Sequence, residues 1–236
     1  MHASDGDDPF KRLEELNSIG VSLSKEKDIT RLLEKILIAA KTITHADGGT
    51  LYRINDEGNC QFEIMRTDSL NIAMGGTTGV AIPFYPIHLI GREGLPNNSM
   101  VVAYSVLHDR TVNIPDAYTA EGFDFSGTKN FDKKTGYRSK SFLTVPMKNH
   151  ENEIIGVLQL INAQDRNTGE IIPFSAADQS LAESLASQAA IALTTRLLIN
   201  QLEDLFEAFI NLINTAIDDK SPYTGGHCQR VPVLTM

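Results

Sequence analysis

The stretch that decides the fold is SFLTVPMKNHENEIIGVLQLIN, residues 141–162. Apolar and β-branched residues dominate residues 141–147 and 153–161, which is typical of buried strands. Between them, Asn-His-Glu-Asn at 149–152 has the composition of a tight turn. We therefore predict a largely buried antiparallel hairpin in this part of the chain.

A second hairpin and two helices lie upstream of this stretch. Residues 50–55 and 60–66 are predicted strands on either side of an Asp-Glu-Gly-Asn turn. Apolar residues recur at spacings of three and four over residues 10–23 and from about residue 28 to 45, which predicts two amphipathic helices. Helices followed by a hairpin and then mixed elements indicate an α+β fold rather than a βαβ series.

The middle of the chain is less regular. Residues 71–98 are rich in glycine and proline, so we expect loops there, with at most a broken edge strand at 82–89. Asn98 or Ser99 is expected to cap a helix that runs through Leu107.

A long connection follows a short predicted strand at 111–114. Residues 116–140 are rich in Gly, Asp, Lys and aromatic residues, and we expect them to form a loop. A loop of that length inside a compact domain is usually functional or mobile. This segment is therefore the first place to look for ligand contacts.

The last helix is predicted to be unusually long. Ser175 and Asp178 have the spacing of a capping box, and no proline interrupts the chain before Pro222. A helix from residue 175 to about 219 would span roughly 65 Å at 1.5 Å per residue, so its end must project from one domain. Its second half carries an apolar seam with a period near 3.5 residues, formed by Leu198, Leu202, Leu205, Phe209, Leu212 and Ala216. The seam could pack on the chain's own N-terminal helix, but we expect parallel pairing with a second copy, a homodimer.

Composition narrows the class of protein. The formal net charge of −9 argues against a nucleic-acid partner and against binding to anionic lipid. No apolar run is long enough to span a bilayer, so no membrane insertion is expected. The N-terminus lacks a secretory signal, and the two cysteines have no metal-binding spacing. We therefore expect a cytoplasmic protein in a reducing environment.

Four sequence motifs occur in an order that is typical of one domain family. They are VNIPDAY at 112–118, FD with TGYRSKSFLTVPM between 131 and 147, IGVLQLIN at 155–162, and FSAADQ at 174–179. In this order and at these separations, the region from about residue 51 to 193 resembles the GAF domain. The resemblance implies a GAF fold with a central antiparallel sheet of about six strands. The N- and C-terminal helices would pack on one face of the sheet, and a ligand pocket would lie on the other.

The GAF domains of cyclic-nucleotide phosphodiesterases and of HD-GYP proteins are the most similar. The cyclic-nucleotide-binding members carry an Asn-Lys…Phe…Asp-Glu signature, and Asn162, Phe174 and Asp178 stand in matching places. Ala163 replaces the lysine and Gln179 replaces the final acid. Because Ala163 cannot pair with an aspartate, Asp178 is left with a capping role here. A cyclic nucleotide or another small ligand is the expected occupant of the pocket.

The candidate pocket residues follow from their order along the chain. Such a pocket needs backbone amides for an anionic group and polar side chains that orient a ring. The predicted ligand-binding residues are Ser69, Asn98, Ser99, Val101, Val102, Tyr118 and Thr135. Tyr118 and Thr135 match ligand contacts of the phosphodiesterase GAF domains. Tyr118 could instead pack its loop onto the core, and Ser69 could be a simple turn residue.

The last residues resemble a second family. AIDDKSPYTGGHCQRV, residues 216–231, resembles the start of an HD-GYP domain. In that family His227 would be the first ligand of a divalent metal, iron or manganese, and Asp218 another. The later ligands would follow Met236, and one histidine with one acid cannot hold such a site. We therefore expect no cofactor and no catalysis in these 236 residues, and metal-dependent cyclic di-GMP hydrolysis in a full-length parent.

These inferences give a domain plan and a function. We expect a disordered lead-in at 1–9, a GAF sensor at 10–195, a coiled-coil-like signalling helix at 196–219, and the truncated start of an HD-GYP domain at 220–236. The expected function is small-molecule sensing that controls an HD-GYP cyclic di-GMP phosphodiesterase. The alternative is a structural dimerisation module with a vestigial pocket, which Ala163 and Gln179 favour.

Overall fold

The computed structural model describes residues 9–91 and 93–220, except for the side chains of 9–11 and 217–220. The chain divides into two compact units, the first ending at Thr194 and the second beginning at Thr195. The two units are described separately below.

An antiparallel sheet forms the centre of the first unit. Its strands lie in the order β3-β2-β1-β6-β5-β4, and the short β7 pairs with β6. The strands are β1 Ala46–Ile54, β2 Cys60–Thr67, β3 Ile72–Gly75, β4 Val112–Ile114, β5 Phe142–Lys148, β6 Ile154–Gln164 and β7 Ile171–Ile172. The two predicted hairpins are β1–β2 and β5–β6, and β1 and β6 join them at the centre of the sheet. The α+β fold with an antiparallel sheet of about six strands is thus confirmed.

Five helices surround the sheet or continue from it. They are α1 Pro9–Lys25, α2 Ile29–Thr44, α3 Val101–Leu107, α4 Ser126–Thr135 and α5 Ala176–Lys220. The Asp28 side chain caps α2 by accepting a hydrogen bond from the Arg31 N–H at 2.8 Å. At the start of α5, Ser175 Oγ accepts from the Asp178 N–H at 3.1 Å, and Asp178 Oδ2 accepts from the Ser175 N–H at 2.9 Å. The predicted capping box and the long C-terminal helix are therefore present.

The two faces of the sheet have different neighbours. Leu51, Leu158 and Leu160 are fully buried on the face that α2 covers. The backbone of Gly49 lies so close to α2 that a Cβ there would come within 2.8 Å of Leu37 Cδ1. Thr50 and Tyr52, which alternate with Leu51 along β1, point to the opposite face and line a cavity.

One correction concerns the start of β1. The strand begins at Ala46, before the predicted residue 50. Gly48 and Gly49 lie before the predicted strand, but both pair with β2 on one side and β6 on the other. Their missing side chains allow α2 and the neighbouring backbones to approach, so ladder hydrogen bonds outweigh the low strand propensity of glycine.

The segments before and within the long predicted loop also differ from expectation. Residues 116–140 are not a continuous loop, because they contain α4, which is too polar to show an apolar period. Helix α3 has Met100 as its N-cap and no side-chain cap, so the predicted capping by Asn98 or Ser99 is wrong. Within 82–89 the only ladder contact described is an isolated bridge between Ile87 and Cys60.

The second unit consists of the part of α5 that begins at Thr195. From Leu198 to Ile213 its large apolar side chains are exposed, Leu205 to 66%. They include the predicted seam and a neighbouring row, which together are Leu198, Ile199, Leu202, Leu205, Phe206, Phe209, Ile210, Leu212 and Ile213. No helix in the described part of the chain is both long and apolar enough to cross a membrane.

Candidate functional site

A cavity of about 420 Å³ lies on the face of the sheet opposite α2. The sheet forms its floor, α3 and α4 form two walls, and the chain around residues 84–87 forms the rim. Most of its lining is apolar, with side chains from Phe62, Met65, Phe84, Tyr85, Phe125, Phe131, Phe142 and Ile161. A mostly apolar concave site with a few polar groups is the usual form of a small-molecule site.

A row of polar side chains crosses the floor of the cavity. Tyr52 Oη donates to Gln159 Oε1 at 3.2 Å, and Gln159 Nε2 donates to Thr144 Oγ1 at 3.0 Å. Burial, followed by the nearby Cys60, raises the pKa of Tyr52, so its hydroxyl stays protonated and acts as a donor. These bonds fix the orientation of the Gln159 amide and leave its second N–H as a donor beside the cavity.

Two helices begin at the cavity wall. Val101 and Val102 of α3 and Gly127 and Thr128 of α4 line it, and neither helix has a side-chain hydrogen bond from its N-cap residue. Helix N-termini present N–H groups and a partial positive charge. The described residues that line the cavity include no Lys, Arg or His, and Asp124 Oδ1 already accepts from the Ser126 N–H at the start of α4, so the N-terminus of α3 is its source of positive potential.

Asp124 adds a negative group at the rim near α4. Hydrogen bonds from Ser126, first its backbone N–H at 2.8 Å, lower the pKa of Asp124 and keep the carboxylate ionised near neutral pH. The rim of the cavity therefore carries an acceptor for ligand N–H groups.

Helix α4 is held over the cavity by a buried carboxylate. Asp132 is only 3% exposed. It accepts hydrogen bonds from Tyr118 Oη at 2.7 Å, from the Ser139 N–H at 2.8 Å and from Ser139 Oγ at 2.8 Å. The Arg138 guanidinium lies 4.1 Å from the centre of the Tyr118 ring. We call Asp132, Tyr118 and Ser139 the latch, because they join α4 to the chain on both of its sides.

A second buried carboxylate holds the chain just after α4. Tyr137 lines the cavity, and its Oη donates to Asp47 Oδ2 at 2.6 Å. Ser69 donates to the same carboxylate through Oγ at 2.7 Å and through its N–H at 3.0 Å. Burial, and then the hydrogen bond to Asp47, raise the pKa of Tyr137. The wall formed by Tyr137 is thus fixed to the start of β1.

The predicted ligand-binding residues fall into three groups. Val101 and Val102 line the cavity. Ser69 and Tyr118 lie behind the wall, where they bond to Asp47 and Asp132 respectively. Thus these two hydroxyls position residues that form the cavity.

The other three predicted ligand residues are not among the residues that line the cavity, and each bonds to a protein group. Asn98 Oδ1 lies 2.8 Å from His108 Nε2, and Ser99 Oγ donates to Asn97 Oδ1 at 3.1 Å. Thr135 Oγ1 donates to the Phe131 carbonyl at 3.0 Å inside α4. These hydrogen bonds stabilise the segment that precedes α3 and the last turn of α4.

The signature residues have structural roles. Asn162 is fully buried, with a φ of 57°. Its Oδ1 accepts from the N–H groups of Lys140 and Ser141 at 2.7 and 3.2 Å, and its Nδ2 donates to the Arg138 carbonyl at 2.8 Å. Phe174 is buried ahead of α5, and Asp178 caps that helix. Asn162 therefore fixes the path of the chain from the latch into β5.

Sequence reasoning missed several lining residues. Gln159 and Thr50 had a signal, since each is a polar residue inside an otherwise apolar strand. Tyr137 stood within a quoted motif without an assigned role. Phe84 and Tyr85 lie between two prolines in a segment whose path no local pattern revealed.

Metal chemistry has no support in the described part of the chain, where no group of three or more His, Cys, Asp or Glu side chains could hold an ion. Burial raises the pKa of the Cys60 thiol to about 12, so it stays protonated. His227 and the side chain of Asp218 lie outside the described residues.

Comparison with protein families matches residues 28–193 to the model described as GAF domain. The dual 3',5'-cyclic-AMP and -GMP phosphodiesterase 11A of Takifugu rubripes is 30% identical over 197 residues, which is 78% of this chain and 20% of that protein. The cGMP-specific 3',5'-cyclic phosphodiesterase of Drosophila ananassae is 30% identical over 148 residues, 59% of this chain and 11% of that protein. The chain therefore spans a fifth or less of the length of these two relatives.

Solved structures share the fold. The GAF domain of an Acinetobacter phosphoenolpyruvate-protein phosphotransferase aligns with a TM-score of 0.54 at 16% identity, covering 81% of this chain and 98% of that one. The free methionine-R-sulfoxide reductase of Neisseria meningitidis, in complex with its substrate, aligns with a TM-score of 0.55 at 15% identity, covering 84% and 98%.

Proposed function

Because this chain belongs to the GAF domain family, we propose that its cavity binds a small regulatory molecule and that binding controls an attached signalling domain. The single observation that carries the proposal is the cavity of about 420 Å³, which combines apolar walls with the N-terminus of α3 and with the polar side chains of Gln159 and Asp124. Such a combination suits a ligand with a ring and a compact anionic group.

A cyclic nucleotide is the ligand class we propose. The α3 amides at Val101 and Val102 are available to a cyclic phosphate, since no side chain caps this helix. Gln159 and Asp124 offer a donor and an acceptor to the edge of a base. The relatives named as cyclic-nucleotide phosphodiesterases support the same class.

Ligand binding is tested by titrating the purified chain with cGMP and with cAMP. At a ligand concentration of about 100 times Kd, binding stabilises the folded state by about 2.7 kcal/mol. For a chain of this size we expect Tm to rise by about 5–10 °C. Calorimetry on the same samples gives stoichiometry, with one molecule expected per chain.

A matched pair of variants locates the binding. Met65→Trp places a larger ring in the cavity and should abolish the Tm rise. Ile172→Trp puts the same ring on β7, outside the described lining, and should leave the rise intact. If neither nucleotide shifts Tm at millimolar concentration, the ligand class is wrong, and the alternative of a dimerisation module with a vestigial pocket gains support.

A path of hydrogen bonds supports coupling from the cavity to α5. Asn162 holds the residues that follow the latch, and Ser141 Oγ donates to the Ile172 carbonyl at 2.8 Å. Ile172 stands three residues before Ser175, whose side chain caps α5. A ligand that shifts α4 would therefore act on the segment that sets the start of α5. Two-state elements joined in this way are a common means of switching.

The partner we propose for the second unit is a second copy of the chain. The exposed apolar seam has a heptad spacing, and Glu203, Asp204 and Glu207 all lie off it. Positions that flank the seam carry Gln201, Ala208 and Thr215 on one side and isoleucine or phenylalanine on the other, so no like charges oppose parallel pairing.

Sedimentation equilibrium tests this pairing. Wild-type protein is expected at twice the chain mass of 25.9 kDa. Leu205→Asp, which puts a charge at a seam position, is expected to sediment as a single chain at the same concentration. Asn211→Asp adds the same charge off the seam and should remain dimeric. A wild-type mass equal to one chain would refute the pairing.

The regulated activity in this proposal is metal-dependent hydrolysis of cyclic di-GMP by an HD-GYP domain. It rests on the sequence of residues 216–231, where His227 and Asp218 match the first ligand positions. In a full-length protein, His227 and Asp218 would be among the ligands of iron or manganese, and the metal would supply activation of a water for hydrolysis.

A further inference from the structure

Residues 80–87, which we call the strap, cross the mouth of the cavity with both ends fixed. The Gly75 N–H donates to the Val80 carbonyl at 2.7 Å. At the other end, Cys60 and Ile87 exchange two backbone hydrogen bonds of 2.9 and 2.8 Å. The segment between these anchors is therefore short and its ends cannot move independently.

The centre of the strap is Pro-Phe-Tyr-Pro, residues 83–86. Each proline ring locks its own φ and restricts the residue before it to extended conformations. Pro86 therefore restricts Tyr85, and Pro83 stiffens the chain that leads into Phe84. The two aromatic side chains are presented on a backbone with little conformational freedom to lose.

Both aromatic residues line the cavity, yet both are exposed. Phe84 is 43% exposed and Tyr85 is 91% exposed. Tyr85 stands on a stiff backbone at the cavity mouth and exposes the apolar surface of its ring. A bound ligand can bury that surface. Val80, Ile90 and Leu95 in the same region are also exposed, but they are outside the described lining.

The rings next to the strap form a row that leads inward. The centroids of Phe84 and Phe62 are 5.5 Å apart, and those of Phe62 and Tyr52 are 4.7 Å apart. Tyr52 belongs to the polar row on the floor. One wall of the cavity is thus aromatic from the floor to the rim, which favours a flat ligand over a bulky aliphatic one.

We propose that Tyr85 is a ligand-stacking residue, whose ring covers the planar base of a molecule bound in the cavity while Phe84 contacts the edge of that base. The inference rests on the proposed function and deepens it, because it selects a flat heteroaromatic ring of purine type. The strap is preformed, so stacking requires ordering of the Tyr85 side chain alone. Base–aromatic stacking is typically worth about 1–3 kcal/mol by alanine substitution, or roughly 5- to 150-fold in affinity.

The absence of tryptophan from the sequence allows a direct test. Tyr85→Trp gives the chain a single tryptophan at the proposed stacking position. With cGMP or cAMP bound, its emission should be quenched by the base, and acrylamide should reach it less readily. Ile90→Trp in the wild-type background places the single tryptophan outside the lining, and its emission should not change.

Affinity measurements complete the test. By calorimetry with the same two nucleotides, Tyr85→Ala is expected to weaken binding at least fivefold, and Tyr85→Phe to stay within twofold of wild type because it keeps the ring. Ile90→Ala should bind as wild type does. If the nucleotides bind wild type but Tyr85→Ala binds equally well and the tryptophan emission of Tyr85→Trp is unchanged, the stacking role is refuted and the proposed function stands. If neither nucleotide binds wild type, both proposals fail together.

Discussion

Asp132→Ala is expected to lower the free energy of unfolding by about 3–5 kcal/mol, because it removes the acceptor of three hydrogen bonds inside the protein. The Tyr118 hydroxyl and both donors of Ser139 would lose a buried, charged partner. Desolvated donors without an acceptor are costly, and α4 has few apolar contacts that could compensate. Urea unfolding followed by circular dichroism measures the change.

Two further variants separate the carboxylate from its neighbours. Tyr118→Phe removes one of the three bonds, from a residue that is only partly buried, and should cost less than Asp132→Ala. Asp132→Asn keeps the side-chain volume and one acceptor oxygen, so an intermediate value is expected. Hydrogen exchange should also rise across residues 118–140 in Asp132→Ala, while the β5–β6 hairpin stays protected. An Asp132→Ala midpoint equal to that of Tyr118→Phe would show that the latch does not hold α4.

Gly75→Ala is the second change with a large expected effect. Gly75 has a φ of 71°, and a Cβ there would lie 2.2 Å from the Glu63 carbonyl oxygen and 2.9 Å from Ile82 Cδ1. With a ψ of −168°, Gly75 has a backbone conformation that is essentially restricted to glycine, which costs alanine about 1–3 kcal/mol. The clash with a backbone oxygen of β2 adds more, since the strand pair must separate to relieve it. We expect a total of about 3 kcal/mol or more.

Gly58→Ala is the matched control for this prediction. Gly58 has nearly the same φ, 75°, but nothing lies within 4 Å of the Cβ position. Its cost should therefore be only the conformational part, about 1 kcal/mol. The difference between the two variants, read from urea midpoints, measures the clash at Gly75 together with the strain of its ψ of −168°. Equal urea midpoints would mean that β2 and β3 can separate at Gly75 with no measurable loss of stability.

Much of the fold was predictable because local signals and packing agree. The apolar runs at 141–147 and 153–161 predicted the β5–β6 hairpin, which the structure contains. The spacing of Ser175 and Asp178 predicted the start of α5. At the start of β1, Gly48 and Gly49 are held in the strand by hydrogen bonds to both β2 and β6, despite the low strand propensity of glycine. The local sequence does not reveal that two strands flank these residues. Helix α4 was hidden because its anchor is one buried aspartate rather than an apolar face.

The site was only partly predictable for a related reason. Val101 and Val102 follow directly from the position of a helix N-terminus over a sheet. Ser69 and Tyr118 have the right chemistry for ligand contacts, but their hydroxyls bond to Asp47 and Asp132 behind the wall. Whether such a hydroxyl contacts a ligand or a buried carboxylate depends on which parts of the chain meet in the fold. Residue spacing along the sequence does not give that information.

The latch also affects the rates at which a ligand can enter and leave the cavity through α4. Because Asp132 holds α4 across the cavity wall, a molecule entering or leaving through that wall waits for a local opening that breaks three hydrogen bonds. Association would then be slower than the typical 10⁵–10⁷ M⁻¹s⁻¹, roughly in proportion to the open fraction. Departure slows by the same factor, which leaves affinity unaltered. Exchange through this wall would therefore follow the average abundance of the effector over the dwell time, whereas exchange through the mouth beside the strap does not depend on these bonds.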